Sequence, residues 1–162
     1  MVAYTTRMPL GFAGRITRSD SLTVETSLID NATPPTVYGK FVKLVSGLLQ
    51  PMASGDAANT EYGVLVSAYP VQSTTTGLGA ATPPTSGPID VLRRGYIAMP
   101  LKLGTAVKGG IVYMVTTAGG SVVVGDIVTS ASPAGGGTAV ATAGKFVGPA
   151  DSGGVVEVEY NL

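Results

Sequence analysis

The feature that most constrains the fold is the spacing of glycine and proline between short apolar stretches. The 162 residues include 23 glycines and 11 prolines, and the apolar residues between them recur mostly at every second position. A period of two indicates β-strands, whereas a helix needs apolar residues at three- and four-residue spacing over a longer window. Because glycine and proline interrupt such windows, the sequence predicts an all-β protein.

Turn signals divide the chain into about nine or ten short predicted strands. The stretch Leu22–Ile29 alternates between apolar and polar residues, so that its leucines and valine share one face. Tyr62–Tyr69 is almost continuously apolar, which is typical of a strand buried on both sides. Pro88–Leu101 forms either two strands or one strand bent at Gly95. Strands of this length and spacing favour a β-sandwich, a jelly roll or a barrel.

Two segments break the strand pattern. The stretch "PLGFAGRITRSD" (Pro9–Asp20) is too short and too rich in glycine to bury its own apolar residues. It predicts an extended N-terminal arm over residues 1–20, followed by a single β-rich domain over residues 21–162. The uncharged segment 70–88 carries too many glycine, proline and threonine residues for a helix or a central strand. It predicts a long loop, and loops of this length are usually functional or mobile.

Residue types that carry much of enzyme chemistry are missing. The sequence contains neither histidine nor cysteine, which excludes Ser–His–Asp triads, Cys–His pairs and His/Cys zinc sites. Glu157 and Glu159 share one face of the last strand, but we interpret them as solvent-facing because nothing indicates a cleft. Arg93–Gly95 is interpreted as a strand end with solvated arginines, and the glycine-rich Ala134–Thr138 as a hairpin loop. The sequence therefore predicts no enzyme, no cofactor and no metal site.

Charge is scarce and balanced. Ten basic and ten acidic residues make up 12% of the chain and give a net charge of zero, about half the usual charged share of soluble domains. No overall field favours nucleic acid, no apolar run reaches the ~20 residues of a membrane span, and the first residues lack the order of a signal peptide. The composition favours a homo-oligomer packed against partners, although a monomer coated in threonine, serine and glycine remains an alternative.

The few charges are unevenly distributed along the chain. Three arginines precede the first acidic residue, and three acidic residues follow the last basic one. These residues are Arg7, Arg15 and Arg18 before Asp20, and Asp151, Glu157 and Glu159 after Lys145. Two interpretations are open: the arm of one copy reaches another copy, or the arm binds an acidic partner.

A series of short motifs, in a fixed order, resembles one protein family. The motifs are "GFAG" (Gly11–Gly14), "TVET" (Thr23–Thr26), "ASGDAANTEYGVLVSAY", "IDVLRRGYIAMPL", "AVKGGIVYM" and the terminal "FVGPADSGGVVEVEYNL". Their order is similar to that of the structural cement, or head decoration, proteins of tailed bacteriophages. The resemblance covers nearly the whole chain.

The resemblance implies a non-enzymatic structural protein on the exterior of the virion head, assembled in the cytoplasm of the bacterial host. Its implied partners are the major capsid protein and further copies of itself, with a homodimer slightly favoured over a homotrimer. It implies neither specific nucleic-acid binding nor membrane contact. An alternative function is that of a β-sandwich tail or fibre component that binds the host surface, for which the sequence offers only three phenylalanines and seven tyrosines.

Within this interpretation the arm supplies the contacts to the capsid or to a sister subunit. Leu10 and Phe12 are predicted apolar anchors, and glycines allow close backbone approach. The arginines are predicted to pair with acidic groups of the partner. The predicted contact residues are Leu10, Gly11, Phe12, Gly14, Arg15, Ile16 and Arg18.

Overall fold

The computed structural model describes residues 10–67 and 82–162, and every helix or strand assigned in these two ranges is a β-strand. The predicted all-β fold is confirmed. The strands are β1 (Ile16–Ile29), β2 (Phe41–Val45), β3 (Leu48–Pro51), β4 (Gly63–Leu65), β5 (Pro88–Leu103), β6 (Ile111–Thr117), β7 (Ile127–Val128), β8 (Thr138–Phe146) and β9 (Val155–Tyr160).

The strands form one mixed sheet that closes on itself twice. The first ring runs β1, β3, β2, β4, β5 and returns to β1, and the second runs β5, β7, β6, β8, β9 and returns to β5. The β1–β3 and β5–β7 pairs are parallel, and the other pairs are antiparallel. Closure of this kind leaves few unpaired strand edges, and it gives the predicted sandwich- or barrel-like architecture.

Strand β5 belongs to both rings. It pairs with β1 from Pro88 to Ile97 and with β9 from Gly95 to Pro100. The short strand β4 pairs with Val91 and Leu92, and β7 pairs with the last residues of β5. Gly95 lies where the two rings meet and has a φ of +133°, a backbone conformation that other residues rarely adopt. Of the two sequence-based alternatives, one strand bent at Gly95 is therefore the correct one.

The apolar core joins the two rings. Phe41, Val64 and Leu92 of the first ring are buried in one cluster with second-ring residues such as Met114. Within this cluster the rings of Phe41 and Tyr160 are 5.6 Å apart, centre to centre, and inclined by 58°. Separate clusters lie within the first ring and beside β6 to β8. Because the largest cluster spans both rings, apolar burial holds them in one body.

The structure describes only part of the predicted arm and part of the predicted loop. Strand β1 begins at Ile16, so residues 16–20 of the segment predicted as an arm belong to a strand that pairs with β5. Residues 1–9 lie outside the described residues. Most of the loop predicted over residues 70–88 also lies outside them, and its last residue, Pro88, is the first residue of β5.

The burial of Tyr160 makes stability depend on pH in alkaline solution. Burial raises the pKa of Tyr160 from 10.0 to about 12, so the unfolded chain loses the phenol proton before the folded protein does. The contribution of the buried, neutral phenol to the free energy of unfolding is complete below about pH 10 and is lost as the pH rises towards 12. In urea unfolding over this range, we expect the wild type to lose more stability than the Tyr160→Phe variant. Parallel pH profiles of the two proteins would contradict this.

Candidate functional site

Residues 10–18, here called the N-terminal segment, lie against the body of the protein. The Gly14 amide donates to the Ala98 carbonyl over 2.8 Å, and the Ala98 amide donates to the Arg15 carbonyl over 2.8 Å. On its other side, the Gly14 carbonyl accepts a hydrogen bond of 2.9 Å from the Ser67 amide. The segment therefore extends the pairing of β1 along β5 and is held on both sides by backbone hydrogen bonds.

Two glycines permit this close packing. Gly14 and Gly39 have φ values of +83° and +72°. A Cβ atom on Gly14 would lie 2.8 Å from the Ser67 nitrogen and 2.9 Å from the Tyr38 Cβ, and one on Gly39 would lie 2.6 Å from the Gly14 nitrogen. These distances are shorter than real Cβ contacts, so no larger side chain fits at either position. The close approach predicted for Gly14 occurs, and its partner is the same chain.

A buried carboxylate binds the C-terminal end of the segment. Glu157 is 2% exposed and accepts two hydrogen bonds from the Arg18 guanidinium, at 2.9 and 3.0 Å, and one of 2.7 Å from the Thr17 hydroxyl. The guanidinium also lies 4.6 Å above the centre of the Tyr96 ring. The hydrogen bond to Glu157 raises the pKa of Arg18, which keeps the guanidinium charged in alkaline solution.

A second carboxylate binds the start of the segment. The Leu10 amide donates to Asp151 Oδ2 over 2.8 Å. The Oδ1 atom of Asp151 accepts hydrogen bonds of 2.9 Å from the amides of Gly153 and Val155, which fixes the turn before β9. The acidic C-terminal region and the arginine-bearing N-terminal region therefore meet within one chain. The charge distribution suggested only contacts of the arm with another copy or with an acidic partner.

The interpretation of Glu157 and Glu159 as a solvent-facing pair is wrong for Glu157. Glu157 is buried beneath Arg18, whereas Glu159 is partly exposed and lies 4.0 Å from Lys145. The sequence could not reveal this, because Arg18 and Glu157 are 139 positions apart. Only the pairing of β9 beside β1 on β5 brings them together.

The interpretation of Arg93 as a solvated strand end is also wrong. Arg93 lies within β5, where its guanidinium stacks 3.7 Å above the Tyr62 ring and its Nε atom lies 3.5 Å from Glu25. The Tyr62 hydroxyl donates to the same carboxylate. Arg94 is exposed. Arg93 is thus held by contacts within the fold.

The outward side of the N-terminal segment lines a cavity of about 310 Å³. Phe12 is half-buried, while Gly11 and Arg15 are exposed. Within residues 10–67 and 82–162, Arg15 forms no ion pair. The described lining residues are Phe12, Arg15, Ile16, Val66 and Ser67. The cavity therefore combines an apolar wall with a guanidinium that has no ion-pair partner among the described residues.

The seven predicted contact residues fall into two groups. Gly14 and Arg18 bind the body of the protein, and Ile16 packs against the main core while also lining the cavity. The others lie on or near the outer surface of the segment: Leu10, Gly11, Phe12 and Arg15.

A second exposed surface is apolar. Leu28 of β1 pairs with Leu48 of β3, which pairs with Val45 of β2, so the three side chains form a row across the sheet. They are 56%, 36% and 39% exposed. Ser46 and Gly47 connect β2 to β3 with positive φ values, as in a two-residue hairpin turn.

Exposed apolar patches mark interaction surfaces when they exceed the scattered side chains of an ordinary surface. Six of the eleven exposed large apolar side chains of the described residues lie on these three strands: Leu22, Val24, Leu28, Leu44, Val45 and Leu48.

In residues 10–67 and 82–162, no three acidic side chains lie close enough together to hold a metal ion. No helix within these ranges is long and apolar enough to cross a membrane.

The chain is thus an all-β protein of two closed rings, with a docked N-terminal segment and an exposed apolar row. The chain belongs to the XM1 gp53 minor capsid protein family, whose model matches residues 1–160. A solved structure described as the capsid of Myoviridae phage XM1 contains a chain of the same fold, with a TM-score of 0.67 and 18% sequence identity over 99% of this chain and 94% of that chain. No curated protein matches the sequence.

The family assignment confirms the resemblance to head proteins of tailed bacteriophages. The protein is a structural component of the virion and associates with the phage capsid. Membership of a family of capsid structural proteins implies a non-enzymatic role.

The packing of Gly14 against Ser67 and Tyr38 leads to a stability prediction. Gly14→Ala introduces a Cβ atom that overlaps backbone atoms, whereas Gly47→Ala adds one with nothing within 4 Å, at the same φ of +83°. The Gly47→Ala protein is the control, and its free energy of unfolding should fall by about 1–2 kcal/mol because of the left-handed conformation alone. The Gly14→Ala protein should lose about 1–3 kcal/mol more, because of the overlap. Urea unfolding measures both, and equal losses would show that the segment is not packed in this way.

The binding of Arg18 to the buried Glu157 carboxylate leads to a second stability prediction. Arg18→Ala leaves Glu157 without two of its hydrogen bonds, and we expect a loss of about 1.5 kcal/mol, the low end for bonds to a charged group because Arg18 is half exposed. Arg15→Ala, in the same segment, removes an exposed side chain and should change the free energy of unfolding by no more than about 0.5 kcal/mol. Thermal and urea unfolding compare the two. A loss in Arg15→Ala as large as that in Arg18→Ala would refute the assignment.

Proposed function

We propose that this minor capsid protein binds the outer surface of the assembled phage head and cements neighbouring capsomers through contacts to the major capsid protein. The observation that carries this proposal is the family match over residues 1–160. It favours a capsid component over the tail or fibre alternative. The scarcity of charge and the exposed apolar row support a protein that functions in contact with partners.

The proposed capsid contact is the outward side of the N-terminal segment. Arg15 would pair with an acidic group of the capsid protein, and Phe12 would contribute apolar area beside it. Gly11 would let the two backbones approach, and Leu10 would lie at the margin of the contact. The inward residues Gly14, Ile16 and Arg18 would act indirectly, by holding the segment in position on the body of the protein.

We also propose that the protein self-associates, with a homodimer favoured over a homotrimer. Low charge supports this, since neutral surfaces of two copies do not repel each other. The row formed by Leu28, Leu48 and Val45 supports it too, because such a row remains exposed to water in a monomer.

Stabilisation of the head would follow from mass action. A protein that binds the assembled lattice and not its separated subunits stabilises the lattice by RT ln(1 + [L]/Kd) per site, about 2.7 kcal/mol at a hundredfold excess over Kd. Sites that bridge neighbouring capsomers would add this energy at each junction. The head would then resist the outward pressure of packaged DNA better with the protein bound than without it.

Cosedimentation with purified empty heads tests the proposal. The wild-type protein should pellet with heads and raise the temperature at which they disrupt, and it should not pellet with isolated tails. Binding to tails alone would contradict the capsid location, and binding to heads without any rise in disruption temperature would contradict cementing. Protease treatment of intact heads shows whether the protein lies on the outer surface, since an external protein is cleaved while the interior of the head stays protected.

Charge reversal at Arg15 tests the contact itself. Arg15→Glu should weaken binding to heads at least about tenfold, because a repulsive contact replaces an attractive one. Lys108→Glu is the matched control: Lys108 is exposed in the turn before β6, away from the N-terminal segment in the sequence, and its reversal should leave binding within about threefold. Both proteins should unfold at the wild-type urea concentration. Equal weakening by the two variants would place the contact elsewhere.

A further inference from the structure

The N-terminal segment is joined to the body of the protein by an irregular stretch of β1. Arg18 pairs with Tyr96 and Thr23 pairs with Arg94, so residues 19–22 lie opposite the single residue Gly95. Residues 19–22 are exposed, and Ser21 has a φ of +54°. A bulge of this size interrupts the hydrogen-bond ladder. It separates the pairing of the segment from that of the rest of β1.

The surface that receives the segment is formed by other parts of the chain. It comprises the Ala98 backbone on β5, the Ser67 amide, the glycine contact at Gly39, and the carboxylates of Asp151 and Glu157. We call this surface the acceptor groove. None of these groups is covalently close to the segment, so the groove can bind the segment of its own chain or the same segment of another copy.

We propose that the N-terminal segment is exchanged between copies, so that residues 10–18 of one chain occupy the acceptor groove of a second chain. This inference rests on the self-association proposed above but not on capsid binding. The closed and exchanged forms make the same segment–groove contacts. Their balance therefore depends on the effective concentration of the tethered segment, which is millimolar for short flexible linkers, relative to the concentration of neighbouring copies.

The groove fits a second copy better than an unrelated partner. Opposite Gly39 the groove accepts only a glycine at positive φ. Three positions after this glycine it binds a hydroxyl, and four positions after it a guanidinium, and both donate to the buried Glu157 carboxylate. Another copy supplies Gly14, Thr17 and Arg18 in this register. The charges are complementary as well, because the Arg18 guanidinium of the segment donates to the Glu157 carboxylate of the groove.

A charge-swap experiment tests the exchange in free protein, without heads. Arg18→Glu chains place two carboxylates together when closed, and Glu157→Arg chains place two guanidiniums together. When they are mixed, exchange pairs Arg18 of one chain with Glu157 of the other, and the two substituted residues with each other. We expect a mixed dimer, identified by native mass spectrometry, at least about tenfold more abundant than the dimer of either variant alone. A mixture that contains only the two separate folded species would overturn the proposal.

The double variant, Arg18→Glu with Glu157→Arg in one chain, is the control for this experiment. It restores the opposite charges within each chain, so its dimer fraction should match that of the wild type. A double variant that dimerises as strongly as the mixture would show that the charge changes create a different contact, and it would also overturn the proposal.

A disulfide trap decides the question if the charge variants fail to fold. The natural chain has no cysteine, and paired residues on antiparallel strands are close enough for a disulfide. Chains with Arg18→Cys are mixed with chains with Tyr96→Cys at about 1 mM, the effective concentration of a short tether, and oxidised. Exchange predicts crosslinked mixed dimers.

The next register pair across the bulge is the matched control for the trap. Thr23 pairs with Arg94 but lies in the part of β1 that stays with its own chain. Mixed Thr23→Cys and Arg94→Cys chains should give at least about tenfold fewer crosslinks, because tethered neighbours crosslink far more often than random encounters do. Equal yields from the two pairs, or none from Arg18 and Tyr96, would overturn the exchange. A dimer that forms without these crosslinks would leave self-association in place and refute the exchange alone.

Discussion

The backbone hydrogen bonds of β5 are the interaction on which the rest of the structure depends. Both edges of this strand are occupied along most of its length, by β1 and β7 on one side of the fold and by β4 and β9 on the other. A strand shared in this way closes two small rings without a linker between them. Gly95 allows β5 to take part in both rings, because its φ of +133° bends the strand where the rings meet.

The N-terminal segment adds a polar connection to this apolar and backbone framework. Glu157 belongs to the second ring, and Arg18 belongs to the strand that closes the first. A buried charge is costly unless it is paired and hydrogen-bonded, and here both carboxylate oxygens are satisfied from the segment. In a chain with only twenty charged side chains, this pair links the irregular start of β1 to the second ring.

The sequence predicted most of the strands but only part of the candidate site. Alternation marked β1, the continuous apolar run marked the buried β4, and glycine marked the bend at Gly95, because each of these signals is local. The role of Arg18 was assigned to a partner, whereas the structure places its contacts on Glu157 of the same chain. That contact depends on which strands neighbour β5, and no local pattern encodes this order. For Gly14 the sequence indicated close approach, but Gly39 and Ser67 become its neighbours only in the folded chain.

The shared strand also has a mechanical consequence. A force that pulls the two rings apart is transmitted along the peptide bonds of β5, which no thermal or osmotic stress breaks. To separate the rings, the load must instead peel β1 or β9 from β5 or shear them along it, and shear loads many hydrogen bonds at once. Tension between the two halves of the protein is therefore carried by a covalent spine in addition to the apolar cluster that the rings share.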